Sequence, residues 1–393
     1  MDSIEPFEYD NAAGRIAFGR GTTADLDAMV ADAGAERALV VCGSNVGANR
    51  TLMDPIEAGL GDRLAGIFDE TTPAKSARSA VDGVEAMDGT NADALVAVGG
   101  GSSIDLARAM RAIRADGRSY EELRAHAADT DALPVPDEDL APLIAVPTTF
   151  AGADLSTGGS VTFDEEDEDL LAGFGDAALV PDALAYDPTL FETTPAGALF
   201  GSAMNGFDKG LELPYSRHAN PLTDAPALRG LTLLGESLPR LPADEPAVME
   251  RAVAGIVLVQ YGRATGGPGL LSVIHAFGHG LRAQGIQQGI AHAVMAPLVL
   301  ELLFSEVDGR RDALAAALDV DGASDTAAAV VDAVREVRDG MELPARLREV
   351  EDIEREALPA VAEAVHGDRF IDNGPEGFDP TVEEIEETLE TAW

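Results

Sequence analysis

Ala94-Leu95-Val96-Ala97-Val98-Gly99-Gly100-Gly101-Ser102-Ser103-Ile104-Asp105 brings a strand, a turn and a helix start together. The apolar run reads as a strand buried on both faces, the form that parallel strands take. Three glycines end it, and a helical pattern begins at about Ser103. Strand, glycine turn and helix N-terminus make a phosphate site. Glycines let the backbone approach an anion, and free N–H groups with the helix dipole attract it. Asp105 is placed in the first turn of that helix, where a carboxylate is favourable. The spacing is not GxGxxG, so that dinucleotide fingerprint does not apply. Taken alone, a triple glycine also suits a plain strand-to-helix turn.

Outward from this stretch the same grammar repeats. Ala38-Leu39-Val40-Val41 and Leu143-Ile144-Ala145-Val146 are further apolar runs that stop at Gly or Pro. Helical patterns lie between them, at Ser76–Met87 and Ile104–Ile113. Strand–helix alternation predicts a doubly wound, mostly parallel α/β domain over residues 1–187. Asp129–Asp139 reads as a surface loop. After Asp187 no strand pattern remains. Pro195 opens a helix through Leu211, and others are read at Ala227–Ser237, Pro246–Thr265, Leu271–Ala283, His292–Phe304, Arg310–Leu318, Asp325–Asp339, Pro344–Val350, Ile353–Val365 and Thr381–Thr391. Residues 188–393 are therefore expected to form an all-α domain. Pro147-Thr148-Thr149 sits at a strand end, where parallel sheets gather ligands. Its hydroxyls suit phosphate or sugar, and Thr148 equally suits a helix cap.

The chain has 393 residues, enough for two cores, and a formal net charge of −43. Such a surface repels phosphate backbones, which argues against nucleic acid as a partner. Lys75 and Lys209 are the only lysines. Abundant acid with almost no lysine suggests a halophilic protein with an acidic surface. There self-repulsion is screened, the Debye length being about 3 Å near 1 M salt. Acids are densest at Asp164–Asp169. No run of 18 or more apolar residues is read, so no membrane span is expected. The acidic start Met1–Pro6 lacks a basic n-region, so a cytoplasmic location is expected. Cys42 is the single cysteine, which leaves no internal disulfide and no cysteine-rich metal site.

Gly99-Gly100-Gly101-Ser102-Ser103-Ile104-Asp105, Pro147-Thr148-Thr149 and Asp187-Pro188 together resemble the iron-containing alcohol dehydrogenase family. The likeness continues through Asn220–Asp224 and the His275/His279 segment. Phe150-Ala151-Gly152-Ala153-Asp154-Leu155-Ser156, Asn205 and His292–Pro297 are most similar to the maleylacetate reductase branch. The resemblance implies a dehydroquinate synthase-like architecture, NAD or NADP, and a catalytic cleft between a nucleotide-binding domain and a helical one. It places the cofactor on Gly99, Gly100, Gly101, Ser102, Asp105, Thr148, Thr149 and Ser44. Some relatives carry an Asp after the second strand that bonds the adenosine ribose. Here Cys42-Gly43-Ser44-Asn45 stands there, so NADP remains open. No lysine lies around Leu170–Pro181, where many relatives place one near the nicotinamide.

Family members usually hold Fe or Zn through one Asp and three His. In this chain Asn205, Lys209, His275 and Gln288 stand at those positions. An ammonium has no lone pair and repels a metal. The expectation is therefore a metal-free site with Asn205, Lys209, His275 and His279 as catalytic residues. Lys209 would stabilise charge on a carbonyl oxygen, and the two imidazoles would carry the proton near neutral pH. Asn205/Lys209 and His275/His279 are each spaced i, i+4 on one helix face. The bland alternatives are an ion pair of Lys209 with Glu212 and ordinary core packing of the histidines. The expected reaction is hydride transfer to or from a small carbonyl, oxo-acid or unsaturated oxo-acid, with an anionic substrate favoured. A homodimer or larger homo-oligomer is expected, with no membrane partner. Competing readings are a metal enzyme with ligands shifted to Asp208, His275, His279 and His292, a cyclising lyase, and a nucleotide-binding relative without activity.

Overall fold

The computed structural model describes residues 7, 9–137, 140–164, 169–264, 269–350 and 353–393. Met1–Pro6, residues 165–168 of the acidic run, Glu138 and Asp139 of the surface loop, and Thr265 lie outside them. The chain divides into two compact units. One is Asp10–Thr194 with Ala264–Gly266, and the other is Met1–Tyr9, Pro195–Arg263 and Gly267–Trp393. The division falls after Thr194, so the short helix Pro188–Phe191 stays with the first unit.

The first unit is built on β1 (Arg15–Phe18), β2 (Ala38–Gly43), β3 (Leu64–Thr71), β4 (Ala94–Gly99), β5 (Leu143–Pro147) and β8 (Ala183–Tyr186). They form one six-stranded sheet in the order β1-β8-β5-β4-β2-β3, parallel at every pairing. Every residue of β4 and β5 is buried, as expected of central parallel strands covered on both faces. β2 is followed by β3 on one side, while β4 lies on its other side. The sheet therefore reverses direction between β2 and β4. In open parallel sheets the carboxyl ends at such a switch form the ligand crevice. β6 (Gly158–Phe163) and β7 (Leu170–Gly175) form a separate antiparallel hairpin, which the sequence reading did not separate from loop.

The second unit is helical throughout its described residues. Four helices carry the polar groups that matter below: Ala196–Tyr215, Pro246–Tyr261, Val273–Arg282 and Gln288–Glu306. Two expected helices are corrected. Pro344–Val350 holds only a 3-10 turn at Leu347–Glu349, and the next helix begins at Leu358 after a 3-10 turn at Arg355–Ala357. One helix among the described residues is long and apolar enough to cross a membrane by length and composition alone. Gln288–Glu306 has that length and composition, with 67% of its apolar window buried inside the protein. A helix apolar on all sides is what a core position demands.

Candidate active site

The crevice between β2 and β4 brings several expected residues together. Gly99 has φ +131°, a conformation that side chains rarely adopt. A β-carbon on Gly100 would lie 3.2 Å from the Thr149 hydroxyl, so Thr149 packs onto the glycine loop. Thr148 is buried, and its N–H donates to the Gly99 carbonyl at 3.0 Å. No helix follows it, so the helix-cap alternative falls away. The loop's helix runs Gly101–Asp116, two residues earlier than expected, and no side chain caps its first turn. Its leading N–H groups therefore face the crevice without an intramolecular anion. The Ser44–Ala48 turn enters from β2, with a Val46 methyl 3.8 Å from where a Gly99 β-carbon would sit.

Asp105, expected to contact the cofactor, is buried and held by side chains of the protein. Its carboxylate accepts from Lys75 Nζ at 3.0 Å and from an Arg108 nitrogen at 3.3 Å. Lys75 also donates to Ser160 Oγ at 2.9 Å. Arg108 is fully buried and donates to the carbonyls of Leu179 (3.0 Å) and Asp154 (2.9 Å). Tyr186 in turn hydrogen-bonds the Asp154 carboxylate. This buried polar chain ties the glycine-loop helix to the hairpin strand β6. Sequence spacing gives Arg108 as i+3 from Asp105, but nothing in it announces Lys75.

In the helical unit, Ala196–Tyr215 is buried at every position from Gly201 to Tyr215 except Asn205. Asn205 opens the helix toward solvent, and its Oδ1 lies 3.2 Å from His275 Nε2. His275 Nδ1 lies 2.5 Å from Glu212 Oε2. The other Glu212 oxygen accepts the His275 backbone N–H at 3.0 Å. Bonds from the Ser272 and Ile274 backbones add to this, so Glu212 caps the Val273–Arg282 helix from outside. Glu212 on Nδ1 orients the ring and leaves Nε2 toward the Asn205 side chain.

Below them lies a second pair. His292 packs edge-on to His275 with ring centroids 4.5 Å apart. Gly278 makes room for it, since a β-carbon there would stand 2.2 Å from His292 Nε2 and 3.3 Å from Gln288 Cγ. His292 Nδ1 is 2.8 Å from Asp208 Oδ2. The two are out of line for a hydrogen bond, and neither residue's polar side-chain atoms find another protein partner. Burial holds the Asp208 carboxyl well above the usual carboxylate range, with Glu212 adding and Lys209 opposing. Burial raises Glu212 against its bonds from the backbone and the nearby His292. Burial, then His292, Lys209, Arg263 and His279, drive His275 well below its ordinary value. His292 is pushed down to about 3, mainly by burial.

Lys209 is only 4% exposed, and its charge acts on Asp208, His275 and His292. His275 is thus a neutral hydrogen-bonding group at physiological pH. The expectation that it titrates near neutrality is corrected, burial being the cause. His279 is different. Its side chain is 36% exposed, and its Nδ1 lies 2.8 Å from Asp368 Oδ2, with Phe370 against the ring. Burial raises Asp368, but bonds from His279 and the Phe370 backbone outweigh it and hold the carboxyl below its usual range. Asp368 and Arg263 are neighbours of the site that nothing in the sequence announces, and Glu212, expected only as an ion-pair alternative for Lys209, braces His275.

These donors do not suit a divalent ion. Three of the four family ligand positions carry an amide or an ammonium. Both ring nitrogens of His275 already face Asn205 and Glu212. Among the described residues, no group of three or more His, Cys, Asp or Glu is gathered to hold a metal, and this includes the shifted set at Asp208, His275, His279 and His292.

The iron-containing alcohol dehydrogenase family description matches residues 13–188, and the C-terminal description of the same family matches residues 201–393. The maleylacetate reductase of Rhizobium sp. (strain MTP-10005) is 27% identical over 319 residues, 80% of each chain. The NAD-dependent methanol dehydrogenase of Bacillus methanolicus is 27% identical over 286 residues, 72% of each chain. Sulfoacetaldehyde reductase from Bifidobacterium kashiwanohense, solved in complex with NAD+, superposes with a TM-score of 0.85 at 18% identity, covering 99% of both chains.

Proposed function

The chain belongs to the iron-containing alcohol dehydrogenase family and is an oxidoreductase. From that premise we propose that it transfers hydride between NAD(P)H and a small anionic carbonyl compound without a catalytic metal. The observation that carries this reading is the donor set itself. A buried ammonium, Lys209, stands on the same helix face as Asn205 where relatives bind a cation.

The nicotinamide, when bound, supplies or accepts the hydride. Support for a dinucleotide comes from the glycine cradle between β2 and β4 and from NAD dependence in a relative. Lys209 stabilises the negative charge that develops on the substrate oxygen, and the Asn205 amide aids in orienting that oxygen. Preorganised charge in a water-poor site is worth far more than in bulk water. Burial, with His292 and Lys209 nearby, keeps His275 neutral, while Glu212 holds its ring aligned beside Asn205. The proton exchanged with solvent is carried by His279, the half-exposed imidazole backed by Asp368. This narrows the proton role from both imidazoles to one.

Lys209 and Arg263 both act on His275, within a chain of net charge −43. Two cations retained there favour a carboxylate-bearing substrate, such as an oxo acid or unsaturated oxo acid. The acidic, lysine-poor composition supports assay in molar salt. The test is oxidation of NADH and NADPH against neutral aldehydes, 2-oxo acids and unsaturated oxo acids. Oxo acids should give a kcat/KM at least tenfold above aldehydes of equal length. Preference for neutral aldehydes, or no turnover with any carbonyl, would refute the proposal.

A further inference from the structure

We infer that Asp69 recognises the adenosine ribose of the dinucleotide and makes the protein select NADH over NADPH. This rests on the reading that a dinucleotide lies on the glycine loop. The strand end where an acid is expected, Gly43-Ser44-Asn45, has none. The fold supplies one from the neighbouring strand. Val41 of β2 pairs with Phe68 of β3, but Gly43 pairs with Thr71. Two β3 residues, Asp69 and Glu70, therefore face Cys42 alone. Such a bulge re-aims a side chain beside a site.

The Ser44–Ala48 turn connects the two points that matter. Val46 touches the position of a Gly99 β-carbon, on the phosphate loop. The next residue, Gly47, has Asp69 against it: a β-carbon there would lie 2.8 Å from Asp69 Cβ and 3.0 Å from Asp69 Oδ2. A single turn thus spans from the phosphate loop to this carboxylate, and a residue with no side chain admits it. Asp69 is exposed, and its charge, second to burial, helps push the Cys42 thiol up to about 12. The carboxylate is therefore close to the end of β2 yet open to a ligand.

The chemistry discriminates. A ribose 2′-hydroxyl donates to a carboxylate, whereas a 2′-phosphate brings like charge against it. Arg50, the first cation after the turn, is already engaged by Asp54 and, at 2.7 Å, by Glu57. A 2′-phosphate would have to displace both carboxylates to use it.

Full-length protein titrated with NADH and NADPH by fluorescence tests this without turnover. NADH should bind at least tenfold tighter, and Asp69→Ser should remove most of that ratio while Asp69→Glu keeps part of it. Should the serine variant not fold, competition on the wild-type protein still decides. There AMP should displace NADH at least tenfold better than adenosine 2′,5′-bisphosphate. Equal affinity for both cofactors, a ratio unchanged in Asp69→Ser, or equal competition overturns the inference and leaves the proposed function standing. Binding of neither dinucleotide overturns both.

Discussion

Lys75 in the sheet unit and Lys209 in the helical unit are both buried, at 8% and 4% exposure, yet their surroundings differ. Lys75 sits among groups that answer it: the Asp105 carboxylate, the Ser160 hydroxyl, and Arg108 completing the network. Lys209 sits beside Asp208, His275 and His292, which burial drives toward their neutral forms. Satisfied ions of the first kind hold a fold together. Neutralised groups around a cation, with none of the polar side-chain atoms of Asp208 and His292 hydrogen-bonded, cost stability. Sites that bind and react carry such costs more often than structural ones.

Exchanging each lysine for methionine should separate the two roles. Lys209→Met is expected to lower kcat about 10²- to 10³-fold, the usual effect of losing one oxyanion stabiliser. Lys75→Met leaves buried charge without its partner and is expected to cost about 3 kcal/mol in chemical denaturation, with kcat of the folded protein nearly unchanged. Steady-state kinetics and denaturant midpoints on both variants check this. Reversed effects would break the comparison.

The pH dependence of stability sharpens it. His275 and His292 have folded values below 6.5, so the unfolded chain binds more protons as pH falls under that value. Stability should therefore drop between pH 6.5 and about 3, His292 alone contributing on the order of 4 kcal/mol across the window. Asp208 acts in the opposite sense. Its folded value is raised, so its stabilising share is full below 3.8 and lost as pH rises. Asp208→Asn should then stabilise the protein by about 1–2 kcal/mol at pH 7 and by little at pH 4. An equal effect at both pH values would mean that Asp208 is ionised in the fold.

Much of this was legible in the amino-acid order because it is local. Apolar runs bounded by glycine or proline marked β2, β4 and β5, and i, i+4 spacing marked Asn205/Lys209 and His275/His279. β1, β3 and β8 were not read. β1 and β3 are edge strands with partly exposed residues, and β8 is only four residues long. The hairpin strand β6 opens with Gly158-Gly159-Ser160, which lacks any alternation. The site's supports were illegible for another reason. Glu212 and His275 are 63 residues apart, and His279 and Asp368 are 89 apart. Only folding brings them together. The bulge that carries Asp69 to Gly47 is likewise a matter of strand register.

The most direct test of a lysine in place of a metal is activity measured alongside metal content. Protein purified in high salt and dialysed exhaustively against a chelator should retain its kcat/KM with substoichiometric iron and zinc. One tightly bound Fe or Zn per chain, with activity lost on its removal and regained on its return, would contradict the account.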